Sequence, residues 1–383
     1  MRNIVYILGF ITFFSSAQLF AISTPLESKK IHTEILAGTG ETFDDNVTLV
    51  KSNEKQDFIT ELSAGLRLSY EGERNTGGIQ FEDFQQLFSS HHEFNNNAQK
   101  ANASWETEIT KMSSLKFTDD FSHGEEPRSF EDEFGRSRGR YSTSRNNSDL
   151  FYSHELSKRF TFNVGYGNQF NLFSRSDLRD SMRNIAKVSL DWGLNSESTL
   201  SWIYQYANYQ FASSDTLGAD SANSNGLGLG LKQYLSKQLY MNLGGGMDII
   251  HNFSNDNLLR PYAEFGLTSE PDERTKIKLL SFEWRSQANP YQTSIFESWR
   301  VSGGITRELR KRLKGSLTGF FGSGEYKELD IHDYLYGTKA ELVFEVRPEL
   351  FLSLSYGFSI TSSNQDSRDY SKNVTNLKLS YSI

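Results

Sequence analysis

Several groups of residues in this sequence carry types and spacings that could do chemistry. Asp44-Asp45-Asn46 offers a run of oxygen donors of the kind that Ca²⁺ takes. The run lacks the spaced acidic positions and the Gly of an EF-hand loop, so it reads as a solvated strand end passing into a loop. His91-His92 stands beside Glu93. Adjacent residues of an extended chain point to opposite faces, so the two rings would not converge on one metal. Ser153-His154, with His123 earlier in the chain, could be drawn into a nucleophile–base pair. No nucleophile signature and no matched carboxylate pair accompanies the 7 His residues, so neither an enzyme nor a cofactor is expected. Gly226, Gly228 and Gly230 alternate with Leu227, Leu229 and Leu231. That pattern marks a strand with one bare face, since no strand–loop–helix context for a phosphate loop follows.

Charge offers a different kind of chemistry. The segment from Ser122 to Arg140 is acidic first (Glu125, Glu126, Glu131, Asp132, Glu133) and basic second (Arg136, Arg138, Arg140). It fits a loop folded inward as a pore constriction, with opposed charges setting a field across it. The plainer reading, a mobile external loop, is the one the segment favours. Elsewhere Arg67, Lys187, Asp191, Lys339, Glu341 and Glu345 fall on the polar side of alternating runs and are candidate lumen charges. Both signs occur among them, so they define no ion preference. All of these roles presuppose a wall with an inside and an outside.

The bulk composition is compatible with such a wall. Among 383 residues 37% are apolar, yet there are 29 Phe and 18 Tyr. Mean hydropathy is -0.55, far too low for a bundle of membrane helices. A chain in which only every second residue meets lipid combines these properties. A net charge of -8 argues against a nucleic-acid partner. The 0 Cys residues exclude disulfides and lipid attachment through an N-terminal Cys. Met1-Arg2-Asn3 followed by the apolar run Ile4 to Phe14 and by Ser15-Ser16-Ala17 reads as a signal peptide over residues 1–21. Cleavage is expected after Ala17 or Ala21, leaving residues 31–383 as the folded unit.

The strongest organisation is a spacing of turns. Short polar turns recur at Leu156-Ser157-Lys158-Arg159, Leu194 to Ser198, Leu235-Ser236-Lys237-Gln238, Ser269 to Arg274, Leu309-Arg310-Lys311-Arg312 and Val346-Arg347-Pro348-Glu349. Consecutive turns lie roughly forty residues apart, and longer polar stretches fall between them. The runs that join turns to loops alternate strictly. Leu350, Leu352, Leu354, Tyr356, Phe358 and Ile360 oppose Ser353, Ser355, Gly357, Ser359 and Thr361. Leu62, Ala64, Leu66, Leu68 and Tyr70 oppose Ser63, Gly65, Arg67 and Ser69. Tight turns at one end, long loops at the other and long alternating strands predict an all-β fold. It would be a transmembrane antiparallel up-and-down β-barrel of about 18 strands in a bacterial outer membrane.

Aromatics at run ends (Phe151-Tyr152, Tyr209-Gln210-Phe211, Tyr240, Trp284, Trp299, Tyr334, Tyr336, Tyr381) are expected to form girdles at the lipid headgroups. The last strand alternates through Leu377, Leu379, Tyr381 and Ile383, with Ile383 where such barrels commonly end in Phe. The expected partners are therefore outer-membrane lipid and the barrel-assembly machinery. At the end of the first strand stands Glu41-Thr42-Phe43-Asp44-Asp45-Asn46-Val47. An aromatic followed by Asp-Asp-Asn, ahead of repeated hairpins, resembles the family called putative β-barrel porin 2. That resemblance implies an outer-membrane barrel, often associated with exopolysaccharide or exosortase gene clusters, and brings no catalytic residues. The expected role is passive passage of small hydrophilic solutes or exported polysaccharide. The alternative is a non-conducting structural or interaction barrel, a secretion-complex component or a surface receptor.

Overall fold

The computed structural model describes residues 31–125, 140–176, 178–213, 220–251, 257–288, 295–327 and 329–383. The first strands are β1 (Ile31–Asp44), β2 (Asp57–Glu71), β3 (Asn75–Phe88), β4 (Asn96–Thr110), β5 (Ser113–Gly124) and β6 (Thr143–Ser157). Next come β7 (Phe160–Phe173), β8 (Ser181–Gly193), β9 (Ser198–Phe211), β10 (Asp220–Ser236), β11 (Leu239–His251) and β12 (Asn257–Asp272). The last are β13 (Thr275–Ala288), β14 (Ile295–Arg310), β15 (Leu313–Tyr326), β16 (Ile331–Arg347), β17 (Leu350–Ser363) and β18 (Tyr370–Ser382). They form one 18-stranded antiparallel sheet in which each strand pairs with its sequence neighbours and β1 pairs with both β2 and β18. The sheet is closed. The segment from Ile4 to Phe14 and both cleavage positions lie outside the described residues.

Register carries the alternation from strand to strand around the wall. Leu66 of β2 faces Ile35 of β1 and Phe81 of β3. Leu229 of β10 faces Trp202 of β9, and Leu354 of β17 faces Leu377 of β18. This set points outward: Leu227 is 67% exposed and Leu259 is 60% exposed, which no soluble protein would repeat around its whole circumference. The polar and small sets point inward. A slip of one residue in any pair would turn a whole strand's apolar set into the lumen, so the two-sided environment specifies the register.

The tight turns share a device. In five hairpins the register shifts by one residue just before the turn, leaving Ile109, Leu156, Leu235, Leu309 and Val346 as extra residues. Each bulged side chain is aliphatic and exposed on the turn side. A hydroxyl follows it in three of the five. Thr110 Oγ1 accepts from the Met112 N–H at 3.2 Å, Ser157 Oγ from Arg159 at 3.3 Å, and Ser236 Oγ from Gln238 at 3.2 Å. Ser or Thr at that place gives the turn its local acceptor, so the repeated Leu-Ser-Lys pattern is a turn sequence with a mechanism.

The outward aromatic girdle holds for Tyr152, Trp284, Trp299, Tyr334, Tyr336 and Tyr381, and register adds Tyr166, Tyr204, Tyr206 and Tyr356 to the same face. Four of these hydroxyls donate to outward asparagines nearer the loop end. The pairs are Tyr166 to Asn184 (2.8 Å), Tyr204 to Asn225 (2.9 Å), Tyr206 to Asn223 (2.9 Å) and Tyr356 to Asn373 (2.7 Å). The wall thus changes from apolar to amide-rich over one residue step, as an interface requires. Phe151, Tyr209, Phe211 and Tyr240 depart from the expectation. Their parity turns them inward, and Tyr209 and Phe211 are buried there. Aromatic type at a run end did not reveal which face it occupied.

The Asp-Asp-Asn run is not a solvated strand end. It clasps the seam between β1 and β18. Asn46 is fully buried, and its Nδ2 donates to the carbonyls of Val50 (2.7 Å) and Ser371 (2.9 Å) while its Oδ1 accepts from the Val50 N–H (3.1 Å). Asp45 accepts from the Asn373 N–H (2.7 Å) and side-chain amide (2.6 Å), and Asp44 pairs with Lys372 at 2.7 Å. Each of the three side chains bonds across the seam, and Asp44 and Asn46 also bond within the turn that follows β1. Asn46→Ala leaves buried carbonyls and an amide without partners and is expected to lower barrel stability by about 1–3 kcal/mol. Asp366→Ala, which removes only the exposed partner of Lys51, is expected to be near-neutral. The thermal shift of heat-modifiable gel mobility measures both; equal shifts would count against the clasp.

Candidate functional site in the barrel lumen

A barrel of 16–18 strands is wide enough to leave an aqueous interior that side chains alone do not fill. Here the interior has two zones. Toward the tight turns the inward side chains are open, with Lys187 and Lys339 exposed within the lumen. Toward the loops the inward residues are buried: Ile59, Phe88, Phe173, Ala207, Tyr209, Phe211, Ala222, Ile250, Phe296, Tyr326 and Leu335. Residues of the connecting segments pack onto them. Val47 and Phe94 join Ile59 and Phe88, while Leu178 and Tyr141 join Phe173. The connections therefore fold over the inner rim, and the lumen narrows at its loop end.

The rim is tied by charge as well. Arg368, in the connection before β18, donates from Nε to Asp333 Oδ1 at 3.1 Å and from Nη2 to Oδ2, and its guanidinium lies 5.3 Å over the Tyr326 ring. Burial works against this charge, but the bonds to Asp333 outweigh it and hold the guanidinium above its ordinary value. Arg179 is almost wholly buried, lies over Phe211 at 5.1 Å and donates from Nε to the Ala212 carbonyl at 3.0 Å.

The predicted lumen charges lie on the inner face by register, but they do not form one site. Arg67 on β2 reaches Glu34 of β1 and Gln80 of β3, both at 2.8 Å. Asp191 of β8 accepts from Asn163 of β7 at 2.9 Å. Lys187 projects from the opposite wall to Lys339 and Glu341 in strand order, and Glu345 stands by the turn, 4.0 Å from Arg312. Glu125 contributes its carbonyl, which accepts from Arg140 Nη2 at 2.5 Å. Glu126, Arg136 and Arg138 lie outside the described residues, as do Glu131, Asp132 and Glu133.

The other candidates separate. Ser153 and His154 point to opposite faces of β6. His123 Nδ1 instead meets Ser144 Oγ at 2.7 Å, and among the described residues no carboxylate completes a triad. His91 Nδ1 pairs with Asp57 at 2.9 Å, with His92 outside that pair. Among the described residues no group of three or more His, Cys, Asp or Glu converges on a common point.

The glycines prove to be a bed for neighbouring side chains. Gly226, Gly228 and Gly230 of β10 face inward beside Gly244 and Gly246 of β11. Tyr262 from β12 lies across this bare strip, so that a Cβ at Gly228 would strike its hydroxyl and one at Gly246 would sit 2.8 Å from its Cε1. Above it the Arg285 guanidinium stacks at 5.1 Å and bonds Asp248 at 3.4 Å. This assembly was the part missed in the sequence. Its signal was alternate glycine on two successive strands followed by a strand with an inward tyrosine.

Comparison with known proteins follows the same lines. The sequence pattern of the family called putative β-barrel porin 2 matches residues 271–382, from the end of β12 through β18. The match covers less than half of the chain, and over the whole of its described residues the structure is a closed 18-stranded antiparallel β-barrel. No curated protein sequence matches it. Among solved structures it is similar to the FrpB iron transporter of Neisseria meningitidis, at 8% identity and a TM-score of 0.50, covering 93% of this chain and 82% of that one. It is also similar to the siderophore receptor PirA of Pseudomonas aeruginosa, at 12% identity and a TM-score of 0.49, covering 90% and 80%. At 8% identity the likeness to FrpB shows the fold alone.

The glycine bed makes a sharp contrast between two similar substitutions. At Gly246 a Cβ would meet the backbone of Leu227 and Gly228 as well as Tyr262, whereas at Gly230 the nearest atoms lie at 3.6 Å or beyond. Gly246→Ala is expected to cost about 1–3 kcal/mol of barrel stability and Gly230→Ala little. Denaturant unfolding of the refolded barrel followed by tryptophan fluorescence measures the difference, and comparable costs at both positions would contradict the account.

Proposed function

We propose that this protein is an outer-membrane channel for passive passage of small hydrophilic solutes or exported polysaccharide. The observation that carries the reading is the closed 18-stranded wall with an apolar outside and a polar, glycine-rich inside. Solute would diffuse along the inner wall, with selectivity set by the narrowed loop end and the charges there. No covalent chemistry, metal or cofactor enters this mechanism. The partners are outer-membrane lipid around the belt, the barrel-assembly machinery during insertion and the solute or glycan within.

One observation favours a second reading. The inner rim at the loop end is apolar and buried, as in Phe88, Phe173 and Phe296, so the pore could be shut there. A non-conducting barrel that serves as a secretion-complex component or surface receptor would need no open path. FrpB is described as an iron transporter and PirA as a siderophore receptor, and that range of roles for one architecture leaves the fold neutral between the two readings.

Planar-bilayer recording on the refolded protein decides between them. The channel reading expects discrete single-channel steps at physiological salt. Silence from protein that is folded by heat-modifiable mobility would leave the closed-barrel reading standing and remove the channel.

A further inference from the structure

Just below the narrowed loop end the inner wall gathers arginines. Arg145 is the third residue of β6, Arg183 the third of β8, Arg260 the fourth of β12 and Arg300 the sixth of β14, while Arg285 lies four from the end of β13. Loop ends of β6, β8, β12 and β14 are their starts and that of β13 is its finish, so all five lie in the loop-side part of the wall, and register turns all five inward. Arg285 bonds Asp248 of β11 across the intervening β12, which sets Arg260 between them.

Two of these guanidiniums are held by stacking on tyrosine rings. Arg183 stacks over Tyr209 at 5.1 Å and Arg285 over Tyr262 at 5.1 Å. A stacked guanidinium has its face occupied and its in-plane N–H groups left to meet a planar or tetrahedral oxyanion, often through two parallel bonds. Arg145 and Arg300 have further partners of their own. The buried Nε of Arg183 and that of Arg260 meet no hydrogen-bond acceptor, as is also so for the Nε of Arg145 and of Arg300. A buried charged donor without an acceptor is costly, and an arriving oxyanion would remove that cost. The inward acid opposite Arg260 is Asp248, and it bonds Arg285 at 3.4 Å. Asp149 and Glu264 lie four residues nearer the turns than Arg145 and Arg260 on the same strands, about 13 Å along an extended chain.

We propose that this arginine collar is a binding site for oxyanion groups, carboxylate or phosphate, carried by a solute that enters from the loop end. Arg183 and Arg260 make the contacts, and the Tyr262–Arg285–Asp248 assembly braces the wall beside them. The proposal deepens the channel reading by naming the class of solute, and it rests on that reading only for the solute's way into the lumen.

The test is binding to the full barrel in detergent, where no conduction is needed. Isothermal titration with a hexameric oligogalacturonate, with inorganic phosphate and with a neutral maltohexaose separates the sources of the oxyanion. The wild-type barrel is expected to bind at least one anionic probe about tenfold more tightly than the neutral sugar, with affinity falling as salt rises from about 50 to about 500 mM. The Arg183→Gln/Arg260→Gln pair is expected to lose about tenfold of that affinity, while Lys187→Gln, deeper on the same inner face, changes it less than about twofold. If the double variant fails to fold, Arg183→Lys/Arg260→Lys keeps the charge without the planar fork and is expected to lose most of the affinity. Equal binding of anionic and neutral probes, or full binding by the folded double variant, overturns the collar. Anion binding without single-channel steps would retain the collar and remove the channel; conduction without anion binding would do the reverse.

Discussion

Everything in this structure depends on the pairing of β1 with β18. A sheet that crosses a membrane cannot leave an edge, because each unpaired N–H or carbonyl in hydrocarbon costs several kcal/mol and no water is present to replace the lost bond. Seventeen hairpin-type pairings between chain neighbours still leave two open edges, and the contact between chain ends removes both. That contact is long-range, joining residues more than three hundred positions apart, so it forms against the largest loop-closure entropy in the molecule. The seam carries a set of side-chain bonds of its own. Asn46 bridges to the Ser371 carbonyl, Asp45 brackets Asn373 and Asp44 pairs with Lys372.

Closure then creates two solvents for one sheet. The outer face meets lipid and becomes aliphatic in the middle, with tyrosines below a rim of asparagine. The inner face meets water and loses side-chain bulk, down to the bare glycines of β10 and β11. Those glycines let Tyr262 lie along the wall rather than across the pore, and Arg285 can stack on it because it lies flat. At the loop end the inner face turns apolar again because Val47, Phe94, Tyr141 and Leu178 fold back onto it. Width, narrowing and charge thus come from the same alternation read at three heights.

Much of this was legible in the residues. The long alternating runs place Leu66 and Leu354 outward and Arg67 and Ser355 inward, and the structure has them so. Spacing of tight turns and long loops leads to the strand number. Other features were not legible for stated reasons. Phe151, Tyr209, Phe211 and Tyr240 looked like girdle aromatics because an aromatic at a run end has the same type whichever face it occupies. The Leu-Ser-Lys turns looked like simple polar turns, although Leu156 and Leu235 are bulged residues that shift the register. Asp44-Asp45-Asn46 looked solvated because its partners, Ser371 to Asn373, lie at the far end of the chain.

The sequence by itself determined that this chain forms an antiparallel membrane wall of about eighteen strands, because lipid on one side and water on the other impose a period of two that composition cannot hide. It also determined where the wall turns, since Ser, Thr, Lys and Pro in short polar runs act through local bonds. Only the tertiary structure decided which charges meet. Arg183, Arg260 and Arg285 are more than a hundred positions apart at their extremes, and they share the loop-side part of the wall only because strand register and sheet closure carry them there. A site made of residues from distant strands has no local pattern to read, and the physical fact that assembles it is the closed sheet.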